Sequence, residues 1–304
     1  MKIILTGGTG FIGTAVRRQL LSEAHQIYIL TRQKILSAHE QEKFIYWNPE
    51  RLGDWAACFD GADVVINLSG ENIAGRYWTE SQKQRIVQSR VNATRMIVAA
   101  IGQARKKPST LINASAVGYY GHVPFALMTE GNGRGEGFLA ETCEMWENEA
   151  MQAERFGVRV VLARLGPVLG EKGGMLSKMI FPYYFFLGGS LGSGEQWISW
   201  IHRDDVAGIF SFLMTHPSLS GPVNVAAPKP VFMKEFSSLL GNLLHRPSWL
   251  KVPSFVIRLI MGEMSSVVLE GQRVVPQKLS DQGYRFKYED LKPALAAILS
   301  KKNA

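Results

Sequence analysis

Three glycines, Gly7, Gly10 and Gly13, punctuate the run Thr6-Gly7-Gly8-Thr9-Gly10-Phe11-Ile12-Gly13. It lies between a short β-branched stretch, Lys2 to Thr6, and a helically spaced one, Phe11 to Ala24. Each glycine has its own task. Gly7 permits a tight turn, Gly10 lets the backbone approach a pyrophosphate, and Gly13 lets the helix pack close to the strand. Free amides at the start of the helix then face the anion. Thr9, Phe11 and Ile12 are expected to line the same turn.

A second strand, Gln26 to Thr31, ends in Leu30-Thr31-Arg32-Gln33-Lys34. An Asp or Glu here would hold the ribose 2′-hydroxyl of NAD. No acid lies between Gln26 and His39. Arg32 instead offers a fork of donors suited to a 2′-phosphate, with Thr31 beside it. NADP is therefore expected rather than NAD. Farther on, Ser69-Gly70-Glu71-Asn72 follows a nearly all-apolar strand, Asp63 to Leu68. Gly70 would allow a close approach to the cofactor, Glu71 could accept from a ribose hydroxyl, and Arg76 could meet a phosphate from the same loop.

These residues need a scaffold. Strand patterns at Lys2–Thr6, Gln26–Thr31, 44–46, 63–68, 109–114 and 158–165 alternate with helical ones at Phe11–Ala24, 79–104 and 137–156. Strands of this apolar kind are buried on both faces, and the alternation predicts an α/β fold, a Rossmann doubly wound parallel sheet. After about Gly170 the pattern changes. Glycines at 173, 174, 188, 189, 192 and 194 mark a loop-rich stretch. A strand near Val223, helices at 233–244 and 253–262, and a closing helix at 289–299 suggest a smaller, mostly helical C-terminal lobe. The expected division is 1–170 for the dinucleotide-binding domain and 171–304 for a substrate lobe closing over the strand ends.

Composition excludes several classes. The 304 residues are 46% hydrophobic and 20% charged, ample for a core without disulfides or metal. Two cysteines, Cys58 and Cys143, make no framework, and a reducing cytoplasm is the expectation. The start of the chain shows no signal-peptide pattern, and no apolar run is long enough to span a bilayer, so no membrane insertion is expected. The net charge of +8 is scattered, without a basic run interleaved with aromatics, so no nucleic-acid partner is expected. Six histidines at 25, 39, 122, 202, 216 and 245 show no metal-ligand spacing, and no metal is expected. The apolar stretches 181–187 and 255–261 are expected in the core, with a homodimer interface as the other use.

The glycine spacing resembles that of extended short-chain dehydrogenases/reductases, the group containing sugar-nucleotide epimerases and dehydratases. Asn67 to Ile73, Ser115 to Gly121, Gly192 to Asp205 and Ala226 to Pro230 are similar to an atypical branch called epimerase family proteins. That branch has a C-terminal domain of unknown function, which Leu244-His245-Arg246-Pro247, Gly262-Glu263-Met264 and Leu269 to Arg273 resemble, placing it at about 250–300. The resemblance covers essentially the whole chain. It implies an NADP-binding fold and an oxidoreductase or epimerase acting on a small hydroxylated substrate. It also implies that the loop containing Val168 contacts the nicotinamide through its backbone.

Extended members carry a Ser or Thr and then Tyr-x-x-x-Lys on the next helix. The Tyr works as acid/base, with its pKa lowered by the Lys. Ser115 matches the Ser position. The helix starting near Gly137 holds neither Tyr nor Lys. Tyr288 to Lys292 has the spacing by chance, near the end of the chain. Three substitutes are open: Tyr119 or Tyr120 from the loop after Ser115, a desolvated Glu141 or Glu144, or a Cys143 thiolate. An alternative of another class is also open, a catalytically degenerate NADP-binding protein with a regulatory or redox-sensing role. Near the second lobe, Trp197, Trp200, His202, Arg203, Asp204 and Asp205 form a polar-aromatic group, in which Asp204 or Asp205 is expected to cap a helix.

Overall fold

The computed structural model describes residues 1–33, 35, 39–171 and 173–302. The N-terminal half alternates as the sequence pattern requires. Its elements are β1 (Lys2–Thr6), α1 (Phe11–Ser22), β2 (Gln26–Thr31), β3 (Glu42–Tyr46), β4 (Val64–Asn67), α2 (Glu80–Gln103), β5 (Thr110–Ala116), β6 (Val123–Met128), α3 (Phe138–Met151) and β7 (Arg159–Leu165). The second half begins with β8 (Val168–Leu169), α4 (Gly174–Tyr184), β9 (Gly188–Leu191), β10 (Trp197–Ile198), β11 (Ile201–His202), α5 (Arg203–Thr215) and β12 (Gly221–Val225). It ends with β13 (Val231–Phe232), α6 (Met233–Leu244), β14 (Ser248–Val252), α7 (Ser254–Met261), α8 (Ser266–Leu269), β15 (Gln272–Val274), α9 (Gln277–Asp281) and α10 (Leu291–Lys302).

Seven strands form one sheet in the order β12-β7-β5-β4-β1-β2-β3. All their pairings are parallel. The order reverses between β1 and β4, and a crevice opens beyond the strand ends at such a point. The run Val64–Asn67 is buried throughout because helices cover both faces. One face packs Ile3, Leu5 and Ile29 against Val16 and Leu20 of α1 and Ile209, Phe210 and Leu213 of α5. The other packs Ile4, Val65 and Leu111 against Ile97 and Ile101 of α2. Thr79 caps α2, its hydroxyl accepting from the Gln82 amide at 3.2 Å, and the helix runs unbroken for 24 residues.

The lobe has its own core, in which Tyr183, Trp200, Phe236, Leu240 and Leu295 meet. Three features differ from expectation. First, α5 and β12 return to the sheet after residue 170, so a division there cuts across the sheet's own layers. Second, the glycine-rich stretch contains α4, which glycine punctuation hides. Third, the stretches 181–187 and 255–261 are largely exposed rather than core.

Candidate functional site at the carboxyl edge of the sheet

Parallel pairing brings the strand ends to one edge. Thr6 is level with Asn67, Thr31 with Tyr46, and Leu165 with both Ala116 and Val225. The glycine loop, Arg32, Ser69 to Glu71, Ser115 to Tyr120 and Gly166 to Val168 therefore leave the sheet on one side.

The glycine loop leaves no room for side chains at Gly7 and Gly13 and little at Gly10. Gly7 has φ +68°, and a Cβ there would lie 2.6 Å from the Leu68 carbonyl oxygen. A Cβ on Gly13 would lie 2.1 Å from the Gly7 oxygen, and one on Gly10 3.2 Å from it. Helix α1 starts directly from Gly10 with no side-chain cap, which leaves first-turn amides for a ligand. Phe11 turns its ring into a cradle of glycines. Cβ atoms on Gly170, Gly173 and Gly174 would come within 2.9, 2.6 and 3.0 Å of that ring. The Arg203 guanidinium stands 5.3 Å from its centroid, and the buried Arg203 Nε has no hydrogen-bond partner among the described residues. An anion beside the loop would meet both a cation and an orphaned donor.

At the end of β2, Thr31 is buried and its hydroxyl accepts from the Gln33 amide at 3.1 Å. Arg32 is exposed beside it. Lys34 lies outside the described residues. After β4, the Ser69 amide donates to Asn67 Oδ1 at 3.1 Å. The Arg90 guanidinium lies beneath Gly70, where a Cβ would approach it to 3.1 Å, and donates to the Glu71 carbonyl at 3.0 Å. Gly70 thus makes room for an arginine under the loop. Glu71 is half-buried and Arg76 exposed. Val168 is buried in β8, level with Ile201.

The expected catalytic group divides into two environments. Ser115 is buried at the end of β5 and donates to Glu147 Oε1 at 2.6 Å. Glu147, on α3, accepts two bonds from Arg164 of β7, at 2.9 and 2.8 Å. Arg164 donates to the Tyr120 hydroxyl at 3.0 Å, and Tyr120 donates to Asn224 Oδ1 at 2.7 Å. The Asn224 amide donates to Glu130 Oε1 at 3.0 Å. This chain crosses from β5 through α3 and β7 to β12, and it occupies the hydroxyls of Ser115 and Tyr120. Burial pushes the Tyr120 phenol and the Glu130 carboxyl above their ordinary ranges. Within this chain the Glu147 carboxylate and the Arg164 guanidinium sit as a fork-to-fork ion pair.

Tyr119 differs. Its ring lies 3.5 Å below the Arg164 guanidinium, it is half-buried, and among the described residues its hydroxyl has no hydrogen-bond partner. Glu141 is exposed on the first turn of α3 rather than desolvated. Glu144 pairs with Arg134 at 3.0 Å. Burial and the nearby Glu147 push the Cys143 thiol up to about 11, which keeps it a neutral thiol. Tyr288 packs on the His202 ring, centroid to centroid 4.1 Å. The cap of α5 is His202, whose Nδ1 accepts from the Asp204 amide at 3.0 Å, and neither aspartate takes that role.

Sequence reasoning missed Glu147, Arg164, Asn224, Glu130 and Arg90 as parts of the site, and it named Arg203 only within the polar-aromatic group near the second lobe. Arg164 did carry a signal. It is the one charge within residues 160–165, an otherwise apolar run, and a buried charge requires a partner.

A family model described as the NAD dependent epimerase/dehydratase family matches residues 3–226. The chain belongs to that family. A second model, the Domain of unknown function (DUF1731), matches residues 252–298. Epimerase family protein YfhF of Bacillus subtilis (strain 168) is 42% identical over 301 residues, covering 99% of this chain and 98% of the relative. The chloroplastic SDR39U1 homolog of Arabidopsis thaliana, also an epimerase family protein, is 40% identical over 306 residues, covering 98% and 87%. Human epimerase family protein SDR39U1 (isoform 2), solved with NADPH, superposes with a TM-score of 0.88 at 30% identity, covering 99% of each chain. In this chain the glycine loop lies at the first strand-to-helix turn of the sheet.

Proposed function

We propose that this protein binds NADP and works as an oxidoreductase or epimerase on a small hydroxylated substrate. The observation that carries the reading is the fit of the glycine loop to a pyrophosphate. A Cβ at Gly7 or Gly13 would clash with backbone and one at Gly10 would sit tightly against the Gly7 oxygen, the first turn of α1 has no side-chain cap, and Arg203 Nε, beside Phe11, has no hydrogen-bond partner among the described residues. The human relative solved with NADPH supports the choice of nicotinamide cofactor. Arg32, exposed at the end of β2 with no acid nearby in sequence, supports the 2′-phosphate. Ser69, Gly70, Glu71 and Arg76 would border the adenosine and phosphate side, and the backbone at Val168 the nicotinamide side. When bound, the cofactor would supply or accept hydride.

The acid/base role falls to Tyr119. It is the tyrosine of the pair whose hydroxyl no described group occupies, and Arg164 holds its ring in place. Ser115 would act through the Glu147 network, positioning the turn that carries Tyr119. A second reading rests on the same geometry. With Ser115 and Tyr120 committed and no Tyr-Lys pair on α3, the protein would hold NADP and signal its redox state without turnover.

The test has two parts. Titration should show NADPH binding more tightly than NADH. Arg32→Ala should weaken NADPH by about 10- to 100-fold, the worth of hydrogen bonds to a charged group, and leave NADH unchanged. Equal affinity for the two cofactors would overturn the NADP assignment. Steady turnover on a panel of hydroxylated metabolites would exclude the second reading, and its absence would exclude the first.

A further inference from the structure

The C-terminal lobe carries an apolar face that no described element covers. Helix α7 reads Ser-Phe-Val-Ile-Arg-Leu-Ile-Met, and of its eight residues only Ile257 is buried. Phe255, Leu259 and Ile260 are 68%, 83% and 59% exposed. The face continues through the strand before it. Trp249 of β14 is 66% exposed, and its indole N–H donates to the Phe186 carbonyl at 3.2 Å. β14 pairs with β9, which follows the C-terminal end of α4. There Phe181 and Phe185 are exposed, with ring centroids 5.1 Å apart. Exposed apolar side chains thus run through α4, the 185–187 loop, the β14 strand that Trp249 ties to that loop, and α7, which follows β14 directly. Exposed aromatics and aliphatics are rarely contiguous without a partner.

Charge decides which partner. Residues 173–194 and 246–262, which build the face, contain four Lys or Arg and no Asp or Glu. Lys178, Lys251 and Arg258 are exposed. Three acids border these segments, Glu171, Glu195 and Glu263; Glu195 is paired with Lys234 at 3.5 Å and Glu263 with Lys83 at 2.9 Å. A two-fold dimer through this face would oppose the same cations across the interface, a costly arrangement. Exposed Trp and Phe interleaved with Lys and Arg, around a short amphipathic helix, match a bilayer interface with acidic headgroups. No helix of the described residues is long and apolar enough to cross a membrane, so contact would be with the surface. We propose that this face docks on an anionic lipid surface, with α7 lying in the headgroup layer and the aromatics of α4 and β14 anchored beside it.

Co-sedimentation of the full chain with vesicles tests this. The protein should bind vesicles containing phosphatidylglycerol, bind pure phosphatidylcholine weakly, and be released as salt rises. Lys251→Gln with Arg258→Gln should weaken partitioning about 30-fold, the worth of two cations near an anionic surface. Phe255→Ser with Leu259→Ser should abolish it. These four positions are exposed, and circular dichroism and thermal unfolding should show both variants folded. Tryptophan emission should shift to the blue with anionic vesicles, and Trp249→Phe should remove the shift. Failure to sediment with anionic vesicles would overturn the proposal. So would a dimer, seen by light scattering, that both double variants dissociate, because the face would then belong to a second copy.

Discussion

At the scale of single residues, the glycine loop makes the strictest demand. Gly13→Ala would place a methyl 2.1 Å from the Gly7 oxygen, a backbone atom that cannot step aside. The helix must shift, which should cost roughly 1–3 kcal/mol in denaturant unfolding. NADPH binding should be lost, as a fluorescence titration would show. The tyrosine pair offers a sharper contrast. Tyr119→Phe should leave stability and NADPH affinity intact while lowering kcat by about 100-fold or more, the scale of a lost general acid. Tyr120→Phe removes a buried donor to Asn224 and leaves that acceptor unpaired, so it should cost about 1–3 kcal/mol of stability. If the two variants exchange these phenotypes, the assignment of Tyr119 fails. Adjacent tyrosines look identical in a sequence. Their neighbours across the sheet separate them.

At the scale of elements, the Glu147 to Arg164 pair joins α3 to β7, and Ser115 ties β5 to the same carboxylate. Helix α3 occupies the place where relatives are expected to carry Tyr and Lys, and in this chain its buried polar side chain serves packing of the sheet edge. Glu147→Gln would leave the Arg164 charge without its counterion in a buried setting. Loss of roughly 3–5 kcal/mol in equilibrium unfolding is expected, far more than a surface pair would cost. The strands and helices of the sheet were legible because their apolar periodicity is strong. The Gly173-Gly174 pair was not, because its purpose is a cavity for the Phe11 ring, and that ring arrives from a distant part of the chain. Helix α4 was hidden for the same reason, since its start is set by that packing rather than by a capping residue.

At the scale of the whole molecule, Asp205 fastens the C-terminal lobe to the sheet. Its two carboxylate oxygens accept from the amides of Lys287 and Tyr288, at 2.6 and 3.0 Å. Burial nonetheless raises its pKa to about 6, against 3.8 when free. Because the folded value lies above the unfolded one, the folded state holds the extra proton between them. This group therefore adds stability as pH falls from 6 toward 3.8, and adds least above 6. A carboxyl NMR titration should place the Asp205 midpoint near 6. A midpoint near 3.8 would show that the lobe opens there and wets the side chain.

The sequence by itself determined the glycine loop, the parallel sheet and the Arg32 position, because those depend on local spacing and on apolar runs read along the chain. It also showed that α3 lacks the Tyr-Lys pair. The tertiary structure alone decided which hydroxyls are occupied, since Glu147, Arg164 and Asn224 reach Ser115 and Tyr120 from three separate elements. It alone decided that 181–187 and 255–261 face outward, because an apolar run carries the same pattern whether or not another element covers it.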